Sequence, residues 1–222
     1  MKEINSTDYH DFVFRDGKLV GEFEQMYQKS AEVPWLQDRV PTRMDCRVAV
    51  EFLACHSPFQ HVVEIGCGLG YFAEMVRQRV QPDMLTAFDI APSAVAAARG
   101  LFSAIQFDVL DITDPVQVRA KGLRADLVII RGCFGYLFEQ PGVVIDNLHA
   151  LTAPGGQVFV AQNFPPLDSK FVGKEVLPNP ASLIHHFERR FHITATNELK
   201  ERRADAANDH WIMFVGKPRT HD

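Results

Sequence analysis

The chain has 222 residues, 46% of them hydrophobic and 23% charged, with a formal net charge of −5 and a pI near 6.0. That is the make-up of a globular protein of one domain plus attached segments. It offers no broad basic surface for a phosphate backbone, which argues against nucleic acid as a partner and for a small or neutral one.

The opening residues, MKEINSTDYHDFVF, lack the apolar core of a secretory signal, and no later run is long enough to span a bilayer. A cytoplasmic location without a membrane partner is therefore expected. Residues 1–44 mix Phe12, Phe14, Phe23, Tyr27 and Trp35 with charges and end among Pro34 and Pro41, the pattern of an N-terminal arm or cap. From Arg43 to His56, Val48, Phe52 and Leu53 recur at helical spacing and open a domain over 45–222. Strands are then expected at 61–65, 84–89, 104–107, 125–131 and 157–162, alternating with helices at about 71–80, 92–99, 115–121 and 141–151. Strict alternation implies parallel β-α-β units.

A proline-rich insertion over 164–180, placed to act as a substrate loop, and a helix near 181–190 come next. The last β-prone runs, FHITATNELK and HWIMFVGKP, are joined by ERRADAAND, too short for a crossover helix, so they should pair antiparallel. The expected fold is α/β: a doubly wound, mostly parallel seven-stranded sheet with a C-terminal antiparallel hairpin. The four cysteines, Cys46, Cys55, Cys67 and Cys133, form no C-x-x-C pair and read as reduced thiols, and no metal is expected.

The first strand of the alternation runs into HVVEIGCGLGYF, with glycines at 66, 68 and 70. In a doubly wound sheet ligands bind at the carboxyl ends of the strands where strand order reverses, commonly just after the first. Glycines there allow positive φ and close approach to the main chain, and the helix that begins near Tyr71 presents unpaired N–H groups. A dinucleotide fingerprint needs G-x-G-x-x-G, but Tyr71 stands three after Gly68. Glu64 inside the strand would repel a pyrophosphate and suit a cationic or amino-bearing ligand.

This loop resembles the first motif of the class I S-adenosylmethionine-dependent methyltransferases of small-molecule type, and the order of later motifs agrees. Asp89 ends the second strand, Asp108 ends IQFD, ADLVIIRGCFGYL resembles the fourth-strand motif, and LTAPGGQVFVAQN the turn and strand after it. The resemblance covers about 45–217 and implies a Rossmann-like methyltransferase fold with S-adenosylmethionine as cofactor. It further implies cofactor contacts from Glu64, Gly66, Cys67, Gly68 and Gly70, from Asp89 with Ile90 on the ribose side, from Asp108 with Val109 on the adenine side, and from Arg131. Cys67 reads as loop packing rather than a nucleophile, and Asp111 as a capping or solvent-facing acid. An N-terminal cap in many members closes over the sulfonium and the methionine carboxylate, which brings in Trp35 and Arg43. Gly132 departs from members with a larger, often acidic residue there.

For catalysis the candidates are His210, which starts the reversed last strand and so should emerge at the active face, with His185 beside His186 on the helix after the insertion, and Tyr136. His56, His61 and His192 belong at the opposite edge by the same topology. Asn163 and Tyr27 are candidate acceptor contacts; NFPPL at 163–167 reads as a turn or substrate loop. The expected reaction is methyl transfer to O or N of a small molecule, such as a sugar, a nucleotide-linked sugar or another metabolite. The alternatives are a methyltransferase of protein or nucleic acid, or a non-catalytic binding or scaffold protein of the same fold.

Overall fold

The computed structural model describes residues 6–164, 172–201 and 209–219. The arm comprises α1 (His10–Val13), β1 (Phe14–Arg15), β2 (Lys18–Leu19), α2 (Phe23–Lys29) and a 3-10 segment (Pro34–Thr42). Next come α3 (Met44–Ala54), β3 (His61–Ile65), α4 (Tyr71–Arg79), β4 (Met84–Asp89), α5 (Pro92–Leu101) and β5 (Gln106–Val109). The second half holds α6 (Pro115–Lys121), β6 (Ala125–Arg131), α7 (Pro141–Leu151), β7 (Thr152–Phe164), α8 (Pro180–Glu188), β8 (Phe191–Glu201) and β9 (Asp209–Pro218).

The main sheet has seven strands in the order β5-β4-β3-β6-β7-β9-β8. The first five pair in parallel, and β9 runs antiparallel between β7 and β8. This is the expected doubly wound sheet with its terminal hairpin. The order reverses at β3 and β6, so a crevice opens at their carboxyl ends.

Alternation along each strand divides the core into two layers. Val62, Leu127, Ile129, Met213 and Val215 pack under α3, α4 and α5, whereas Val63, Val128, Ile130, Ile212 and Phe214 pack with α7 and α8. Strands buried on both faces explain why these runs are almost wholly apolar. Their starting edge is pinned by Asp126, whose carboxylate accepts the backbone N–H groups of Gln60 and His61, each at 2.9 Å.

Three boundaries differ from expectation. β5 begins at Gln106 because residues 103–104 form a turn, and β7 reaches back to Thr152 through a register irregularity opposite Ala125 and Leu127. α8 spans 180–188 under a capping box between Asn179 and Ser182. Within the expected insertion, 165–171 lie outside the described residues.

The arm is folded against the sheet domain. Phe12, Val13 and Met26 make a small core of its own, ringed by Tyr9, Phe23, Trp35 and Tyr136. Glu24 ties it to the domain by accepting from Ser93 N–H at 2.9 Å and Ser93 hydroxyl at 2.6 Å, in the first turn of α5. A carboxylate at a helix N-terminus satisfies orphan donors and opposes the helix dipole.

Candidate active site

A cavity of about 390 Å³ opens at the switch point, between the carboxyl ends of β3, β4 and β6 and the inner wall of the arm. Its floor follows from register. Glu64, Arg131, Asn163 and Trp211 all line the cavity. They lie at the ends of four neighbouring strands, on the face covered by α3 and α4.

Glu64 is 3% exposed, and its Oε2 has no hydrogen-bond partner. Burial pushes its carboxyl up to about 8, against the opposing pull of Arg131. A buried acid left with an open acceptor is costly unless something supplies a donor or a positive charge. Beside it, Asp89 is buried and accepts from Gly68 N–H at 2.8 Å and Ala91 N–H at 2.9 Å. Burial raises its pKa and these backbone donors hold it back. A carboxylate has about four acceptor positions, so capacity remains for a ligand hydroxyl.

The loop glycines serve the protein's own packing as well as any ligand. Gly68 has φ +53°, and a Cβ there would stand 2.2 Å from Gln37 Oε1, which accepts the Leu69 N–H at 2.7 Å. Gly70, at φ +82°, is the N-cap of α4 and would drive a Cβ into the Phe107 ring at 2.7 Å. Cys67 and Cys133 are held far toward the thiol form by burial, in keeping with packing rather than nucleophilic roles.

On the arm side stand Tyr9, Phe23, Tyr27 and Trp35, with Tyr136 from the turn after β6. Trp35 centres this wall, 5.6 Å from the Tyr136 ring and 5.7 Å from Tyr9. Its backbone is left-handed, at φ +52°, a conformation that costs a bulky residue energy and is held by the surrounding packing. Tyr27 hydroxyl accepts from Gln37 Nε2 at 2.8 Å, which links the wall to the glycine loop.

At the other end, Asp45, 2% exposed, receives two arginines. Arg43 binds it through Nε at 3.0 Å and Nη2 at 3.1 Å, and Arg131 Nη2 makes a further close contact. Burial works to raise the Asp45 pKa, but Arg131 and Arg43 outweigh it and lower it. Both guanidiniums also lie against Trp211, at 4.9 Å for Arg131 and 5.9 Å for Arg43.

Several expected site residues stand elsewhere. Asp108 is half exposed and paired with Lys121 at 2.6 Å, while Leu110, Asp111 and Ile112, just past the end of β5, line the cavity. Val109 is half-buried and packs against the core instead. His210 does emerge at the carboxyl edge, but it pairs with Phe164 on the opposite sheet face and bonds Glu198 at 3.0 Å. A one-residue step along a strand turns a side chain to the other face, so its neighbour Trp211 takes the cavity position. His185, with an 85% exposed side chain, lies on α8, which covers that same opposite face. Ile90 lines the cavity beside Asp89. Sequence reading missed Asp45, Gln37, Asp111 and Trp211; only the alternation of β9, extended one residue from His210, pointed to the last.

Residues 63–158 match the family described as "Methyltransferase domain". That stretch is similar to S-adenosylmethionine-dependent methyltransferases. The chain is 31% identical over 100 residues to the malonyl-[acyl-carrier protein] O-methyltransferase of Acetivibrio thermocellus, covering 44% of this chain and 34% of that protein. Over 102 residues it is 33% identical to the ubiquinone biosynthesis O-methyltransferase of Pseudomonas aeruginosa, covering 45% of this chain and 43% of the other. The matched stretch thus spans between a third and a half of these relatives' length. In fold, the chain resembles the N-methyltransferase NodS of Bradyrhizobium japonicum, solved with S-adenosyl-L-homocysteine, at a TM-score of 0.68 and 19% identity over 89% of this chain and 98% of that one. S-adenosylmethionine is the cofactor these comparisons indicate, and the site residues fit it: a positive amino group would answer the open acceptor of Glu64, and ribose hydroxyls would answer Asp89.

Proposed function

We propose that this protein transfers a methyl group from S-adenosylmethionine to an oxygen or nitrogen of a small molecule. The observation that carries the reading is the buried, unpartnered Glu64 carboxyl at the floor of a cavity beside the glycine loop and Asp89. Bound S-adenosylmethionine supplies a methyl carbon activated by an adjacent sulfonium. Glu64 would hold the cofactor's positive amino group, Asp89 would accept from the ribose hydroxyls, Ile90 and Ile112 would flank the base, and Asp111 would accept from the adenine amino group. Gly66 and Gly68 keep the loop backbone open to close approach.

The protein's remaining task is alignment, and holding two reactants in line is worth roughly 7–11 kcal/mol. Residues 1–44 serve as a cap on the domain of 45–222, and the aromatic wall it brings excludes water from the acceptor half. A walled cavity favours a small metabolite over a protein or nucleic-acid strand. Tyr136 remains close to the acceptor, but burial pushes its hydroxyl up to about 12, which makes it a hydrogen-bond donor rather than a base at neutral pH. Isothermal titration with S-adenosylhomocysteine tests the cofactor half: saturable binding that Asp89→Ala weakens by about 1–3 kcal/mol is expected. Equal affinity in wild type and variant would sink the assignment.

A further inference from the structure

We propose that the acceptor is a flat conjugated molecule carrying a carbonyl-type oxygen, recognised by the amide N–H of Asn163, and that Gln162 is the positioning residue that fixes this donor; this rests on the methyltransferase reading above. Gln162, 4% exposed, stands one residue before Asn163 at the end of β7 and does not itself line the cavity. Its Oε1 accepts the Gly135 N–H at 3.2 Å. A backbone N–H can only donate, so the Gln162 amide has a single orientation, with Nε2 as its donating end. That nitrogen gives to the main-chain oxygen of Asn163 and to Asn163 Oδ1, each at 3.1 Å. The second amide is thereby fixed as well. With Oδ1 taken by Gln162, the end of Asn163 left for a ligand is Nδ2, which has no acceptor among the described residues. Asn163 lines the cavity, and what it offers there is a hydrogen.

The same glutamine seats a second donor. Gly135 precedes Tyr136 in the turn after β6, and a Cβ on Gly135 would stand 3.1 Å from Gln162 Nε2, so this turn rests directly on the amide. Tyr136 lines the cavity with a hydroxyl that burial keeps protonated, and the Trp35 indole N–H, which can only donate, faces its oxygen. Both groups that Gln162 holds at this end therefore present hydrogens. Flat apolar surface surrounds them: Trp211 lies opposite Asn163 in the β7–β9 register, and the Trp35 ring is 5.6 Å from that of Tyr136. A ligand seated there must bring lone pairs on a flat frame, and a carbonyl oxygen has two lone pairs to give. A sugar would bring hydroxyl hydrogens as well. The carboxylates of the lining, Glu64, Asp89 and Asp111, belong to the cofactor half, so those hydrogens would be buried without acceptors, a cost that a carbonyl does not incur.

The test uses the full chain, with 4-hydroxyacetophenone and 4-ethylphenol as probes; they share ring, hydroxyl and outline, and only the first has a carbonyl. Titrated into protein saturated with S-adenosylhomocysteine, the ketone should bind at least fivefold more tightly than the alkyl phenol, and methyl β-D-glucoside more weakly than either. Asn163→Leu should bring the ratio of the two phenols to within twofold of one. Gln162→Met, which never meets the ligand, should do the same, whereas a merely structural role for Gln162 would weaken both probes equally and leave the ratio intact. Both variants should keep S-adenosylhomocysteine affinity within threefold. A wild-type ratio near one, no binding of either phenol at millimolar concentration, a glucoside that binds more tightly than the ketone, or an Asn163→Leu protein that keeps the preference would each overturn the proposal. Wild-type protein that binds no S-adenosylhomocysteine would strike the cofactor reading itself and this one with it.

Discussion

At the scale of single residues, the site depends on an acid kept in an unfavourable place. Glu64 has a folded-state pKa raised to about 8 by burial, above its ordinary 4.5. The native state therefore holds a proton that the unfolded chain has already released between those values, and stability falls as pH rises through that window. Glu64→Gln removes the dependence: at pH 8 the ligand-free variant should melt above wild type, by roughly 2–4 °C for each kcal/mol recovered. The same variant should bind S-adenosylhomocysteine more weakly. Wild-type binding should release protons near pH 7, which calorimetry in two buffers of different ionisation enthalpy would detect. A variant that melts lower at pH 8 would contradict the assigned protonation.

Asp111 and Asp108 supply the matching specificity test. Asp111→Asn should weaken S-adenosylhomocysteine binding about three- to tenfold, since a charged hydrogen bond is worth more than a neutral one. Asp108→Asn, which faces Lys121 away from the cavity, should leave it unchanged. The reverse ranking would return the adenine contact to Asp108.

At the scale of elements, the alternation of strands and helices was legible because a parallel sheet buried on both faces writes itself as separated apolar runs. The start of α5 at Pro92 and the hairpin at the end were equally plain, from a proline suited to a first helical turn and from a linker too short for a crossover. What the sequence left hidden depended on single steps of register or on distance. Asp108 and Asp111 differ only in whether β5 has ended. His210 and Trp211 differ only in sheet face. The Arg131–Asp45 pair joins residues 86 positions apart and has no local signature. Asp126 is a similar long-range tie, and Asp126→Ala should leave two strand-end N–H groups short of an acceptor, at a cost of about 1–3 kcal/mol. Thermal melts should show the loss, and S-adenosylhomocysteine affinity should not change, because Asp126 sits at the opposite edge of the sheet.

Over the whole molecule, hydrogen bonds among the described residues tie the arm to the sheet domain at Glu24 on Ser93 and at Gln37, which accepts the Leu69 N–H and donates to the arm's own Tyr27 hydroxyl. Gln37→Ala should loosen the second without disturbing the sheet. Amide exchange in residues 23–42 should quicken while exchange in β3 and β6 stays the same, and cofactor affinity should fall a few-fold. Uniform exchange rates in the variant would mean that the arm needs no such link.

The cavity takes one wall from the arm and another from β9, so its lining is assembled from nearly the first and nearly the last described residues of the chain. During synthesis the glycine loop and Asp89 leave the ribosome long before Trp211. Because β9 is an interior strand of the sheet, the cavity is complete only once the end of the chain has been made. A C-terminally damaged chain would lack the β9 side of this cavity, and Trp211 is the part of the lining that arrives last.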